Sequence, residues 1–204
     1  GVQASGAPSM LNALRDKKIE TLSDVKTIAD GIAVKTPGET TFDMGSQYVD
    51  EIVTVSEDEI AAAILALMEN QKLVAEGAGA VPVAAVLFHK LPVEGKKVAC
   101  VVSGGNIDVN ILNRVITRGL VMSGRKANMT IALEDKPGQL KKVAEVVSRC
   151  GSNVVSVQHD GSDPNMPISS CFLKLTLETR DAEQIEQIRA ELAKEGFQLV
   201  SERV

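Results

Sequence analysis

Apolar and polar residues alternate most clearly near the end of the chain. Cys171, Leu173, Leu175 and Leu177 alternate with Lys174, Thr176 and Glu178, the pattern of a half-exposed strand. Met129, Ile131 and Leu133 alternate in the same way with Thr130 and Ala132. Between these strands, Gln139 to Cys150 carries Leu140, Val143, Ala144 and Val147 at i, i+3, i+4 and i+7, the stripe of one buried helix face. Gly151 ends that helix in the C′ manner. Val154 to Gln158 reads as a strand with Val155 and Val157 on one side, followed by a loop from Gly161 to Pro167 with two prolines. Asp181 caps a second helix with Ile185, Ile188 and Leu192 facing inward, and Phe197 to Val200 is the last strand. The order β-α-β-β-α-β from Ala127 to the end is the split-βαβ, ferredoxin-like arrangement. One face of its sheet is left without helices, and a partner chain is expected there.

The first part of the chain is patterned differently. Val2-Gln3 is a strand candidate, and Ser9 to Asp16 a short helix with Ser9 as cap and Met10, Leu11 and Leu14 on one face. Asp30 to Val34 and Asp50 to Val55 are expected strands, separated by a Thr36-Pro37-Gly38 loop. Ser56-Glu57-Asp58-Glu59 is a capping box that opens a helix from Glu57 to about Leu73. Glu76-Gly77-Ala78-Gly79-Ala80 interrupts it, and a new helix runs to about His89 with Pro82 in its first turn. After a turn at Leu91 to Gly95, Val98 to Val102 is apolar without alternation, as in a strand covered on both faces. Gly104-Gly105 then turns the backbone. Asn106 or Asp108 caps a helix from Val109 to Arg118. This places Ser103 at the carboxyl end of a buried strand, where open α/β sheets bind ligands. Such a turn also occurs without any ligand, and Glu76 reads equally well as a loop carboxylate in water.

Composition narrows the function classes. The chain has 204 residues, 44% of them hydrophobic and 2% aromatic, with a net charge of −5, so the cores are aliphatic. No basic stripe or set of stacking aromatics suits nucleic acid, and no apolar run suits a membrane span. The three cysteines, Cys100, Cys150 and Cys171, lack metal-ligand spacing and read as small buried hydrophobes of a cytoplasmic protein. The carboxylates form no metal-ligand cluster, so no metal is expected. His89 and His159 have no partner at catalytic spacing, and His89 is expected to complement a helix dipole. The opening Gly1-Val2-Gln3-Ala4 lacks an initiator Met and is expected to be internal to a longer protein.

Four motifs occur in order: Ala29-Asp30-Gly31-Ile32-Ala33-Val34-Lys35, Val55-Ser56-Glu57-Asp58-Glu59-Ile60, Glu76-Gly77-Ala78-Gly79-Ala80 and Val102-Ser103-Gly104-Gly105-Asn106. With them the chain resembles the C-terminal half of threonine dehydratase (threonine ammonia-lyase), a fold-type II pyridoxal-phosphate enzyme related to serine racemase. Residues 127–204, with Glu134-Asp135-Lys136-Pro137-Gly138-Gln139-Leu140, resemble an ACT regulatory domain. The resemblance implies an α/β fold. Residues 1–122 would be the C-terminal half of a three-layer catalytic domain, 123–126 a linker, and 127–204 an α+β ACT domain.

The resemblance also implies roles. Ser103 would hydrogen-bond the pyridine nitrogen of pyridoxal 5′-phosphate. A neutral hydroxyl there does not force ring protonation, which favours prompt loss of the β-hydroxyl. Gly31, Glu76 and Asn106 would line the same cofactor pocket. Asp135, Lys136, Pro137, Gly138, Gln139 and Leu140 would hold a small amino-acid effector, with Gly138 leaving room for its α-carbon. The family's Schiff-base lysine motif and its glycine-rich phosphate loop find no match in this chain. Lys35, Lys72, Lys90, Lys96 and Lys97 are expected to be solvated and not to replace that lysine. The full-length parent would convert L-threonine to 2-oxobutanoate and ammonia, or L-serine to pyruvate and ammonia, in isoleucine biosynthesis or threonine catabolism. This chain alone would be inactive, would hold no covalent cofactor, and would associate through the ACT domain or with the absent half. The alternative is a non-catalytic module that binds a small amino acid and dimerises.

Overall fold

The computed structural model describes residues 1–162 and 167–200. Residues 163–166 of the expected Gly161–Pro167 loop lie outside this range. The chain divides into two compact units, Gly1–Ile116 and Thr117–Val204. The division falls inside a helix, upstream of the 123–126 segment. Among the described residues no helix is long and apolar enough to cross a membrane.

In the first unit, β1 (Val2–Ala4) pairs in parallel with β2 (Val53–Val55). The helices are α1 (Ser9–Asp16), α2 (Glu39–Tyr48), α3 (Glu57–Ala66), α4 (Gly77–Leu87) and the start of α5 (Val109–Met122). A wider turn at Leu67–Gln71 extends α3 to Lys72, which closes it at φ 58°. The capping box is complete: Ser56 Oγ accepts from Glu59 N, and Glu59 Oε2 accepts from Ser56 N. The core is aliphatic. Ala63, Ala80 and Ala84 are fully buried beside Ile60 and Ile64, and alanines at the meeting faces let α3 and α4 approach closely.

Several expectations for this unit are corrected. Pro8, not Ser9, is the N-cap residue of α1, and Ser9 is buried. Asp30 to Val34 is not a strand. Ile32 N donates to Ala29 O and Ala33 N to Asp30 O, closing a 3₁₀ turn over Asp30–Ile32. The Asp30 side chain also accepts from Gly31 N, the local bond by which Asp favours turns. Only Val53–Val55 of the third candidate is paired. The helix α2 was not expected; its residues Glu39-Thr40-Thr41-Phe42-Asp43 carry little apolar periodicity. The helix α4 begins at Gly77, so Pro82 lies in its interior and not in its first turn.

The largest departure is Val98–Val102, which is not a buried strand. Val98, Val101 and Val102 are 46%, 78% and 37% exposed. No ladder hydrogen bond forms on this segment among the described residues. A strand exists only beside a neighbour that takes its N–H and C=O groups, and among the described residues β1 and β2 pair only with each other. The apolar run therefore reports a surface suited to being covered. Downstream, Asp108 provides the cap of α5, its Oδ1 accepting from Asn110 N at 2.7 Å.

The second unit matches its expected order. It comprises β3 (Lys126–Glu134), α6 (Gln139–Arg149), β4 (Asn153–Asp160), β5 (Ser170–Glu178), α7 (Ala182–Lys194) and β6 (Gln198–Val200). The sheet order is β4-β5-β3-β6, antiparallel throughout. Met129, Ile131, Leu133, Leu173, Leu175 and Leu177 meet Ile188 and Leu192 of α7 in one core. Each such side chain contributes roughly 1.5–3 kcal/mol on burial. The buried stripe of α6 is Val143, Val146, Val147 and Cys150; Leu140 and Ala144 are exposed. The i, i+3, i+4, i+7 spacing holds, but it starts at Val143. Asp181 caps α7 by accepting from Gln184 N. Val155 and Val157 lie exposed on β4.

Candidate functional site

The first unit brings Gly31, Glu76, Ser103 and Asn106 together. Glu76 is the N-cap residue of α4, and its backbone N donates to Gly104 O at 3.2 Å. Its carboxylate Oε2 accepts from Asn106 N at 3.3 Å. Gly31 faces the same carboxylate: a Cβ there would lie 3.3 Å from Glu76 Oε1 and 3.1 Å from the Ala78 methyl. Glu76 thus bridges the 3₁₀ turn and the Ser103–Asn106 loop.

Two glycines make this assembly possible. A Cβ on Gly79 would overlap the carbonyl oxygen of Ser103, so the serine backbone lies directly on α4. Gly104 has φ 71°, and a Cβ there would overlap the Glu76 carboxyl group. Its place is fixed twice, by conformation and by space. The Glu76-Gly77-Ala78-Gly79 and Ser103-Gly104-Gly105 motifs are legible in sequence, but their mutual seating is not, because it pairs residues far apart in the chain. Ser103 is exposed, and its hydroxyl makes no hydrogen bond to any described residue. It borders a hollow of about 480 Å³ whose wall includes Ile32, Ala78, Pro82, Val98 and Cys100.

The lysines are placed largely as expected. Lys35, Lys96 and Lys97 are exposed, and Lys72 donates to Glu69 O. Lys90 instead forms a 2.8 Å ion pair with Glu59, its side chain 31% exposed. His89 follows α4 at φ 52°.

In the second unit, Asp135 to Leu140 form one rim of a hollow of about 340 Å³. Gly138, at φ 91°, is the N-cap residue of α6, and a Cβ there would meet nothing within 4 Å. Gln139 N donates to Lys136 O at 3.5 Å, while the N–H groups of Leu140 and Lys141 have no acceptor inside the helix. Five wall residues are absent from the expected effector set: Leu133, Glu134, His159, Cys171 and Leu173. His159 Nε2 lies 3.2 Å from Asp135 Oδ1, so this histidine does have a carboxylate partner. Alternation alone assigned Cys171 to the core and gave no sign of this neighbour. Burial, together with the nearby Asp135 charge, pushes the Cys171 thiol up from its ordinary pKa.

Comparison with known proteins gives a consistent picture. The chain is 50% identical over 199 residues to an L-threonine ammonia-lyase of Thermotoga maritima, covering 98% of this chain and 49% of that protein. It is 42% identical over 197 residues to an L-threonine ammonia-lyase of Geobacter sulfurreducens, covering 97% of this chain and 49% of that one. The chain therefore spans about half the length of these relatives. Among solved structures, the processed form of threonine deaminase isoform 2 from Solanum lycopersicum superposes with a TM-score of 0.53 at 34% identity, over 57% of this chain and 33% of that one. Maize serine racemase superposes with a TM-score of 0.50 at 30% identity, over 57% of this chain and 38% of that one. Residues 1–104 match the family model for pyridoxal-phosphate dependent enzymes, and the chain belongs to that family.

Proposed function

We propose that this chain supplies one wall of the cofactor site of a pyridoxal-phosphate dependent lyase acting on L-threonine or L-serine. In this reading a regulatory unit of ACT type follows that wall. The observation that carries the reading is the gathering of Gly31, Asn106 and the Ser103–Gly104 backbone around Glu76, in a chain half identical to an L-threonine ammonia-lyase.

The residues present suit the ring end of the cofactor. Ser103 offers an uncommitted hydroxyl that can donate to a pyridine nitrogen while leaving that nitrogen unprotonated. Gly31 leaves a flat group free of side-chain obstruction, and Glu76 fixes the loop that carries Ser103 and Asn106. The bound cofactor would supply an electron sink for removal of the substrate α-proton and loss of its β-hydroxyl. This chain's residues orient the ring edge and wall it with Ala78, Pro82 and Cys100, excluding water. Among the described residues no lysine lines the hollow that Ser103 borders, and in this reading the covalent anchor belongs to the portion of the parent outside this chain. The second unit would bind a small α-amino acid between Gly138 and the first turn of α6, whose N–H groups suit a carboxylate. It would also assemble subunits through the exposed edge strand β4, which bears Val155 and Val157.

Borohydride treatment of the 204-residue chain with pyridoxal phosphate, followed by intact mass measurement, tests the division of labour. No stable lysine adduct and no 2-oxobutanoate from L-threonine are expected. A single stoichiometric adduct on one lysine of this chain would overturn the assignment.

A further inference from the structure

The hollow beside the Asp135–Leu140 turn carries a donor set of which only Asp135 belongs to the effector reading and none to the cofactor reading. We propose that Asp135, His159 and Cys171 bind one divalent transition-metal ion of the zinc class. One ligand atom from each residue lies within 4.8 Å of the other two. Sheet topology produces this convergence. β5 lies between β3 and β4; Leu133 pairs with Cys171, and His159 pairs with Leu173. Asp135 immediately follows β3, so its side chain arrives at the same end of the sheet.

The spacing suits a shared ion. Asp135 Oδ1 and His159 Nε2 are 3.2 Å apart. Two ligands bound at about 2.0–2.1 Å with a tetrahedral angle stand at roughly that separation. One carboxylate, one imidazole and one thiolate form a borderline-soft set. It suits Zn²⁺ or Co²⁺ and disfavours Mg²⁺ and Ca²⁺, which take oxygen ligands. Three protein ligands leave a fourth position, which the hollow opens to water.

Binding breaks the Cys171 S–H bond, forms a sulfur–metal bond and releases the proton to solvent. Without a cation, burial and the Asp135 charge both oppose a thiolate here; a metal between the two groups reverses the second effect and offsets the first. The ion would tie the end of β3 to β4 and β5 and so fix the turn that leads to Gly138.

The test is a Co²⁺ titration of the untagged 204-residue chain, followed by absorption. The expected result is one equivalent bound, with a thiolate-to-cobalt charge-transfer band and the visible bands of a tetrahedral ion, both displaced by Zn²⁺. Cys171→Ala should abolish the charge-transfer band. His159→Ala, at an exposed position that leaves the core intact, should weaken Co²⁺ binding by at least about 100-fold. Cys100→Ala should leave the titration unchanged. The proposal falls if no charge-transfer band appears in the unaltered chain. It falls equally if the band survives both Cys171→Ala and His159→Ala.

Discussion

A side chain at Gly79 and the backbone of Ser103 cannot occupy the molecule together: a Cβ on the glycine would overlap the serine's carbonyl oxygen. The obstacle is backbone, which cannot rotate away as a side-chain tip could. Gly79→Ala should therefore displace the Ser103–Asn106 loop and cost about 1–3 kcal/mol of stability, the usual range for overpacking. Urea unfolding checks the stability. Limited proteolysis checks the loop, where faster cleavage near residues 101–106 is expected.

Ser103 itself should behave in the opposite way. It is exposed and its hydroxyl has no partner among the described residues. Ser103→Ala should change stability by no more than about 0.5 kcal/mol. In the proposed parent enzyme the same substitution should lower turnover of L-threonine while leaving the fold intact, as circular dichroism would record. A large loss of stability in this chain would show that the serine serves the fold instead.

The contrast between these two residues shows what the sequence could disclose. Local chemistry was legible: the Ser56/Glu59 capping box, the Asp181 cap and the alternation of Cys171 to Leu177 all depend on neighbours a few positions away. The family resemblance also implied Gly31, Glu76, Ser103 and Asn106 as a group. Relations set by tertiary packing were not legible. The seat of Ser103 on Gly79 and the approach of His159 to Asp135 join distant segments, and no periodicity encodes them. The Val98–Val102 run misled for a related reason. Apolar continuity reports a need for cover, while a strand also needs a pairing edge, which the described residues do not supply.

Gln184 is a further relation hidden from sequence. It lies in α7 and is 2% exposed. Its Nε2 donates to Cys150 O at 2.7 Å, and its Oε1 accepts from Arg180 N at 2.7 Å. The amide thus satisfies the C-terminal end of α6 and the entry to α7 together. Gln184→Leu, of similar size, strands both backbone groups in the interior. A loss of about 2–4 kcal/mol is expected from two unsatisfied buried groups. Thermal or urea unfolding measures it, and a change under about 1 kcal/mol would mean that water replaces the amide.

The Glu59–Lys90 pair gives the first unit a pH dependence with a definite sign. Burial pushes the Glu59 carboxyl up. The Lys90 ammonium at 2.8 Å and the Ser56 backbone N–H outweigh this and hold it below its ordinary value of 4.5. A carboxyl with a lowered folded-state pKa releases its proton more readily in the native chain. It therefore stabilises the fold fully above pH 4.5, and that stability drains away as pH falls through the lower folded-state value. Glu59→Gln keeps a side-chain oxygen for the capping box but carries no charge to titrate. Its stability between pH 6 and pH 3, roughly the carboxylate range, should follow a flatter curve than that of the unaltered chain. Lys90→Met should flatten the curve partly, because the Ser56 N–H remains. Chemical denaturation at a series of pH values provides the comparison. Parallel curves for all three proteins would mean that Glu59 titrates alike in folded and unfolded chains.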